Sequence, residues 1–189
     1  LPVIVLARHG KPDWDEKTPI PGRALAEWVR GRDAAPIDRS SRPPAELVRI
    51  AQSSRVLAAS PLRRSIESAE LVAPGLAPQV NSLFQEVFLP TAIPLGLRLR
   101  PTAWSSLARL AWYCGWSPGV ETFAAARHRA SRAAAVLAEL ASARESVLLV
   151  GHGIQNGLIG RRLRRAGWSG PRFRTRRFWA FAVYRWGAG

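Results

Sequence analysis

Two of the three histidines in this chain stand in matching surroundings. His9 lies in Arg8-His9-Gly10 and His152 in Gly151-His152-Gly153. Each triplet follows a short apolar run, Val3-Ile4-Val5-Leu6-Ala7 in one case and Val147 to Val150 in the other. A third apolar run, Arg55 to Ala59, leads into Ser60-Pro61-Leu62-Arg63-Arg64. Histidine and arginine with flanking glycines suit work on an anion. A neutral imidazole can attack phosphorus and split a difficult displacement into two steps. The rigid arginine fork matches phosphate oxygens bidentately. Glycine beside each histidine lets a phosphate approach the backbone.

Such side chains act together only if the fold gathers them. Apolar runs alternate with helical patterns along the chain. Strands are expected at Val3 to Ala7, Arg55 to Ala59, Gln79 to Leu83, Val147 to Val150 and Phe178 to Trp186. Helices are expected over Arg23 to Arg30, Ala45 to Gln52, Leu62 to Val72, Ala103 to Trp116, Glu121 to Ala143 and from Gly153 to Gly167. Pro43-Pro44 suits the start of the second helix, and Ser60-Pro61 reads as an N-cap followed by proline at the first helical position. Strands alternating with helices predict an α/β fold, a three-layer α/β/α sandwich with a mainly parallel central sheet. In such sheets ligands bind beyond the carboxyl ends of the strands. The ends at Arg8-His9-Gly10, at Ser60 and at Gly151-His152-Gly153 then share one edge.

The stretches ARHG, SPLRRSIESAE and LLVGHG, in that order, resemble the histidine phosphatase superfamily, the phosphoglycerate mutase-like proteins. The resemblance runs from position 5 to about 160 and implies that family's fold. It implies that His9 is the nucleophile that becomes phosphohistidine. Arg8, Arg64 and His152 would hold the phosphoryl group, and Glu86, in Ser82-Leu83-Phe84-Gln85-Glu86, would be the general acid. It calls for no metal and no cofactor, and there is no cysteine and histidine cluster of metal-ligand spacing. The chain departs from the usual motif after Gly10, where Lys11-Pro12-Asp13-Trp14-Asp15 stands in place of the family's threonine and asparagine. Lys11 is either a further charge at the pocket rim or a solvated loop lysine. Neighbouring helix positions diverge by about 100°, so Arg63 is expected at the surface while Arg64 faces the site. His128 reads as a solvated helix histidine.

The activity implied is that of a phosphomonoester phosphatase acting on a small phosphorylated metabolite. A phosphoglycerate-type mutase is one alternative, and a non-catalytic phosphate- or nucleic-acid-binding module is another. All 189 residues are expected to form one domain, with a variable lid near 90–118 that carries Trp104, Trp112, Trp116 and Arg109. That segment would serve as a substrate cover, as core and dimer packing, or as an interfacial helix at an acidic membrane. All but two of the 28 basic residues are arginine, the net charge is +15, and no acidic residue follows Ser146. Such a surface favours anions, yet no nucleic-acid-binding signature accompanies it, and no specific nucleic-acid partner is expected. The only cysteine is Cys114, which fits a reducing cytoplasm. The five-residue opening run does not read as a signal peptide, and no apolar stretch approaches the roughly 20 residues of a membrane span.

Overall fold

A computed structural model describes residues 1–173 and 177–187. Its sheet is built on β1 (Val3–Arg8), whose residues are apolar on both faces, as a central parallel strand requires. β1 pairs in parallel with β6 (Ser146–Gly151), from Val3 opposite Ser146 to Arg8 opposite Gly151. β6 pairs in parallel with β3 (Val56–Ala59), and β3 with β4 (Gln79–Val80). On the other side of β1 the sheet turns antiparallel through β8 (Phe181–Trp186) and β7 (Trp168–Ser169). The strand order is β4-β3-β6-β1-β8-β7. Four parallel strands thus release their chain at one edge, as expected.

Alternation along the strands sorts the core into two layers. Ile4 and Leu6 of β1, with Val147 and Leu149 of β6, face α5 (Phe123–Arg144) and α6 (Gly153–Arg165). Val5 and Ala7, with Leu148 and Val150, face α2 (Ala45–Gln52) and α3 (Arg63–Val72). Each fully buried leucine or isoleucine contributes about 1.5–3 kcal/mol. α5 buries Ala126, Ala130, Ala133, Ala134 and Ala141 around Leu137, and these small side chains let it lie close to the sheet and α6. Thr122 caps α5, its Oγ1 accepting from the Ala125 N–H at 3.1 Å.

The remaining elements stand over the carboxyl edge. A short 3-10 turn at Gly22–Ala24 leads into α1 (Leu25–Ala34). β2 (Ile20–Pro21) pairs with β5 (Arg98–Leu99), which feeds α4 (Pro101–Tyr113). Trp104 and Trp112 bury themselves on α4, and their indole N–H groups donate to Ile20 O at 2.9 Å and Glu121 O at 2.8 Å. Leu107, Leu110, Tyr113 and Trp116 stay exposed.

Several boundaries differ from the sequence expectation. The helix expected from Arg23 begins at Leu25, because the 3-10 turn takes up its start. The strand expected over Gln79 to Leu83 stops at Val80, where Asn81 caps a 3-10 turn at Ser82–Phe84. The last strand begins at Phe181 rather than Phe178. Ser60 is not an N-cap: α3 starts at Arg63 with Leu62 as its cap residue, and the Ser60 hydroxyl is engaged with His152. The pairings of β2 with β5 and of β7 with β8 have no counterpart in the expectation. Among the described residues, no helix is long and apolar enough to cross a membrane.

Candidate active site

β1 delivers Arg8 and His9 to the edge, and the His9 N–H donates to Gly151 O at 3.0 Å. Gly10 is tied to α3, its N–H donating to Ser68 Oγ at 2.9 Å. A Cβ on Gly10 would lie 2.6 Å from a ring carbon of Trp179, so glycine alone fits this close turn. His9 is 2% exposed. Its Nδ1 lies 2.6 Å from Gly10 O, and a carbonyl only accepts, so Nδ1 carries the proton. Arg64 Nε donates to His9 Nε2 at 3.2 Å, which requires a lone pair there. The two contacts agree on one neutral tautomer, with Nε2 as the available nucleophilic atom. Burial, reinforced by the charges of Arg64 and Arg8, holds the imidazole well below its ordinary titration range.

Arg64 lies one residue into α3 and is 1% exposed. Its Nη1 donates to Asp33 Oδ1 at 2.8 Å and to Arg32 O at 3.3 Å, so α1 fixes the plane of the guanidinium. Arg63 turns outward and pairs with Glu67 at 2.6 Å, as its helix position predicts. The Arg8 guanidinium carbon sits 4.5 Å from the Phe178 ring centroid. Burial lowers the Arg8 pKa to about 10, opposed by the negative charge of Glu86; Arg8 remains cationic at neutral pH.

His152 is fully buried, with its ring centroid 5.0 Å from that of His9. Its Nε2 lies 2.7 Å from Ser60 Oγ, while its buried Nδ1 has no hydrogen-bond partner among the described residues. Ser60 Oγ already accepts from the Leu62 N–H at 3.3 Å. Burial, then the charge of Arg64, keeps His152 neutral well below its usual range. Glu86 reaches the start of α6: its Oε1 accepts from the Val87 N–H at 3.0 Å and the Gln155 N–H at 3.2 Å. The N-terminus of α6 thus faces the Glu86 carboxylate.

Arg8, His9, Arg64 and Glu86 line one cavity of about 700 Å³, and His152 backs onto His9 behind it. α4 walls the far side through Thr102, Ser105 and Arg109, so part of the expected lid does border the pocket. Lys11 does not; it pairs with Asp38 at 2.9 Å. His128 is exposed on α5. Of the basic C-terminal residues, Arg174 and Arg176 lie outside the described residues. Sequence reasoning placed Ser60 at this edge but missed its contact with His152, and it missed Asp33, Arg32 and Phe178 as site residues altogether. Arg32 donates to Glu16 at 3.1 Å beside the cavity. Only Ser60 carried a signal, since it opens the SPLRR stretch. Among the described residues, no three His, Cys, Asp or Glu side chains gather as a metal site would require.

No curated protein matches the chain in sequence. Its fold is similar to that of open reading frame Rv3214 from Mycobacterium tuberculosis, at 21% identity and a TM-score of 0.66, covering 99% of this chain and 92% of that chain. It is similar also to the mycobacterial glucosyl-3-phosphoglycerate phosphatase Rv2419c, at 22% identity and a TM-score of 0.56, covering 87% and 80%. A third likeness is to TTHB049 from Thermus thermophilus, at 21% identity and a TM-score of 0.51, covering 86% and 85%. These likenesses concern the fold, which is the phosphoglycerate mutase-like α/β/α arrangement. In sequence, residues 4–178 match the family model of the Histidine phosphatase superfamily (branch 1). Because that match runs from Ile4 in β1 to Phe178 beneath Arg8 and takes in both histidine triplets, the chain belongs to the histidine phosphatase superfamily.

Proposed function

We propose that the chain is a phosphomonoester phosphatase that works through a phosphohistidine on His9 and needs no metal. The observation that carries this reading is the tautomer of His9. Its proton is committed to Gly10 O, and its Nε2 lone pair is held by Arg64 at the wall of a cavity lined by cations. When a phosphomonoester enters, its oxygens draw the N–H groups of Arg64 and Arg8, and the Arg64 Nε–H leaves Nε2 free to attack. Asp33 keeps the Arg64 fork in plane during that exchange. If the Ser60 hydroxyl donates to His152 Nε2, then Nδ1–H is a donor for a third phosphoryl oxygen. Donors aimed at developing charge are the main source of acceleration in such transfers.

In the first step, Nε2 of His9 forms a bond to phosphorus as the ester P–O bond breaks. The Glu86 carboxylate takes up a proton from solvent before the substrate closes the cavity, and the leaving alkoxide takes that proton and departs as an alcohol. Glu86, now a carboxylate, removes a proton from water, whose oxygen attacks phosphorus. The N–P bond breaks, its electron pair returns to Nε2, and inorganic phosphate leaves. The likeness to a phosphatase of similar fold supports hydrolysis over a mutase reaction. The test is release of inorganic phosphate from 4-nitrophenyl phosphate in the presence of a chelator. Turnover that is lost in His9→Ala is expected. Turnover that requires one added divalent metal, or that survives in His9→Ala, would contradict the proposal.

A further inference from the structure

A second cavity, of about 400 Å³, shares no lining residue with the catalytic one. Among the described residues it is lined by Gly157, Arg161, Arg164, Arg172 and Phe173. Gly157, Arg161 and Arg164 stand four and three residues apart on one face of α6, and Gly157 adds no side chain to fill the space. Arg172 comes from the segment after β7, where Phe173 packs against the core layer beneath α5 and α6. No carboxylate among the described residues pairs with any of the three arginines. The positive surface continues past the cavity. Burial, then the charges of Arg127, Arg165 and Arg161, lower the pKa of Arg162. The dipole of α6 favours cations in its last turn. It does not draw Arg172 from another segment into the same hollow, where like charges repel until an anion meets them.

Trp186 stands at the same end of α6. It is half-exposed, its ring packs beside Gly167, and Trp168 braces it edge-on with 5.5 Å between ring centroids. β8 turns Trp186 to the face that Ala182 and Tyr184 present to α6. The exposed Leu107, Leu110, Tyr113 and Trp116 lie on or beside α4 instead, so this face lacks the apolar insertion that a bilayer needs. Converging cations beside an accessible, braced ring match a single nucleic-acid strand, which needs charge for its backbone and a flat surface for a base.

We propose that Arg161, Arg164 and Arg172, with Trp186 beside them, bind single-stranded nucleic acid without regard to sequence. The guanidinium groups hold backbone phosphates and the Trp186 ring stacks a base. Such binding reads no base edges, in keeping with a chain that carries no base-reading signature. It is separate from the catalytic cavity and does not depend on the phosphatase reading.

The test is fluorescence anisotropy of an end-labelled oligothymidylate of about 20 nucleotides with no terminal phosphate, titrated with the unaltered chain at several salt concentrations. Binding on the order of micromolar Kd is expected near physiological salt, with log affinity falling against log salt at a slope of about −2 or steeper. Combining Arg161→Gln, Arg164→Gln and Arg172→Gln should weaken binding by at least about tenfold and make the slope about 2 shallower, since each phosphate contact on a single strand contributes about 0.7. The same three positions changed to lysine keep the charge and should keep most of the slope. Arg42→Gln, Arg49→Gln and Arg55→Gln remove equal charge from exposed positions in and around α2 and should leave both quantities nearly unchanged. Trp186→Ala should weaken binding about fivefold or more with the slope retained, because stacking is insensitive to salt. No binding at low salt would overturn the inference, and so would an equal loss in the α2 set, which would make net charge the whole cause. Tighter binding of a duplex of the same length would remove the single strand as the ligand. Binding to phosphatidylglycerol vesicles in place of the oligonucleotide would assign the face to a membrane instead. Unchanged affinity in Trp186→Ala would remove the stacking.

Discussion

Arg64 does two things at once: it holds the His9 lone pair with Nε and is itself held by Asp33 through Nη1. Arg64→Ala should lower kcat/KM for 4-nitrophenyl phosphate by about 3 kcal/mol of transition-state stabilisation, on the order of a hundredfold or more. Asp33→Asn keeps a weaker acceptor for Nη1 and should give a smaller loss, carried mainly by kcat, because Asp33 positions Arg64 without touching the phosphoryl. A loss at Asp33 as large as at Arg64 would mean that Asp33 contacts substrate. Glu86→Gln should slow phosphoenzyme formation far more with an alkyl phosphate than with a nitrophenyl phosphate, whose leaving oxygen scarcely needs a proton. Rapid-quench measurement of that step checks it, and equal slowing would remove Glu86 from the role. His9, Arg64 and His152 were legible because each sits at a fixed offset from a strand end, and the 100° step separated Arg64 from Arg63. Asp33 was not, and neither was the contact of Ser60 with His152. Their roles come from segments that meet only in three dimensions, 31 residues apart for Asp33 and Arg64 and 92 for Ser60 and His152. No local pattern marks such a partner.

At the scale of elements, the register of β3, β6 and β1 matters most. A slip of one residue would turn Arg8 and Gly151 to opposite faces of the sheet and disperse the site. Apolar strand runs made this part of the fold readable in advance. The two-residue strands were not readable, since a pairing as brief as Ile20–Pro21 with Arg98–Leu99 has no periodicity of its own. α5 backs the sheet without reaching the cavity, so its stability separates from chemistry. Thr122→Ala removes the side-chain cap of α5 and should cost about 1 kcal/mol in a denaturant titration, with phosphate release retained at temperatures below the transition. No change in unfolding midpoint would show that the cap hydrogen bond contributes nothing net.

The whole molecule carries the cost of burying two imidazoles. His9 and His152 are both held neutral well below the ordinary histidine range, chiefly by burial. Below pH about 6.5 the unfolded chain takes up protons on these side chains that the native chain still refuses. The unfolded state then binds more protons, so stability rises with pH across that window and is lost as pH falls through it. Melting curves from about pH 7 down to about pH 5 should show a falling midpoint, and the fall should be shallower in His152→Gln, which cannot take up that proton. An unchanged slope in the variant would mean that His152 is already protonated in the native state. The most direct test of the whole account is the covalent intermediate itself. Rapid quench under alkaline conditions of a reaction with 32P-labelled substrate, followed by peptide mapping, should find an acid-labile phosphoryl group on His9 and none in His9→Ala. A label on any other residue, or steady turnover without a labelled protein at any time point, would contradict it.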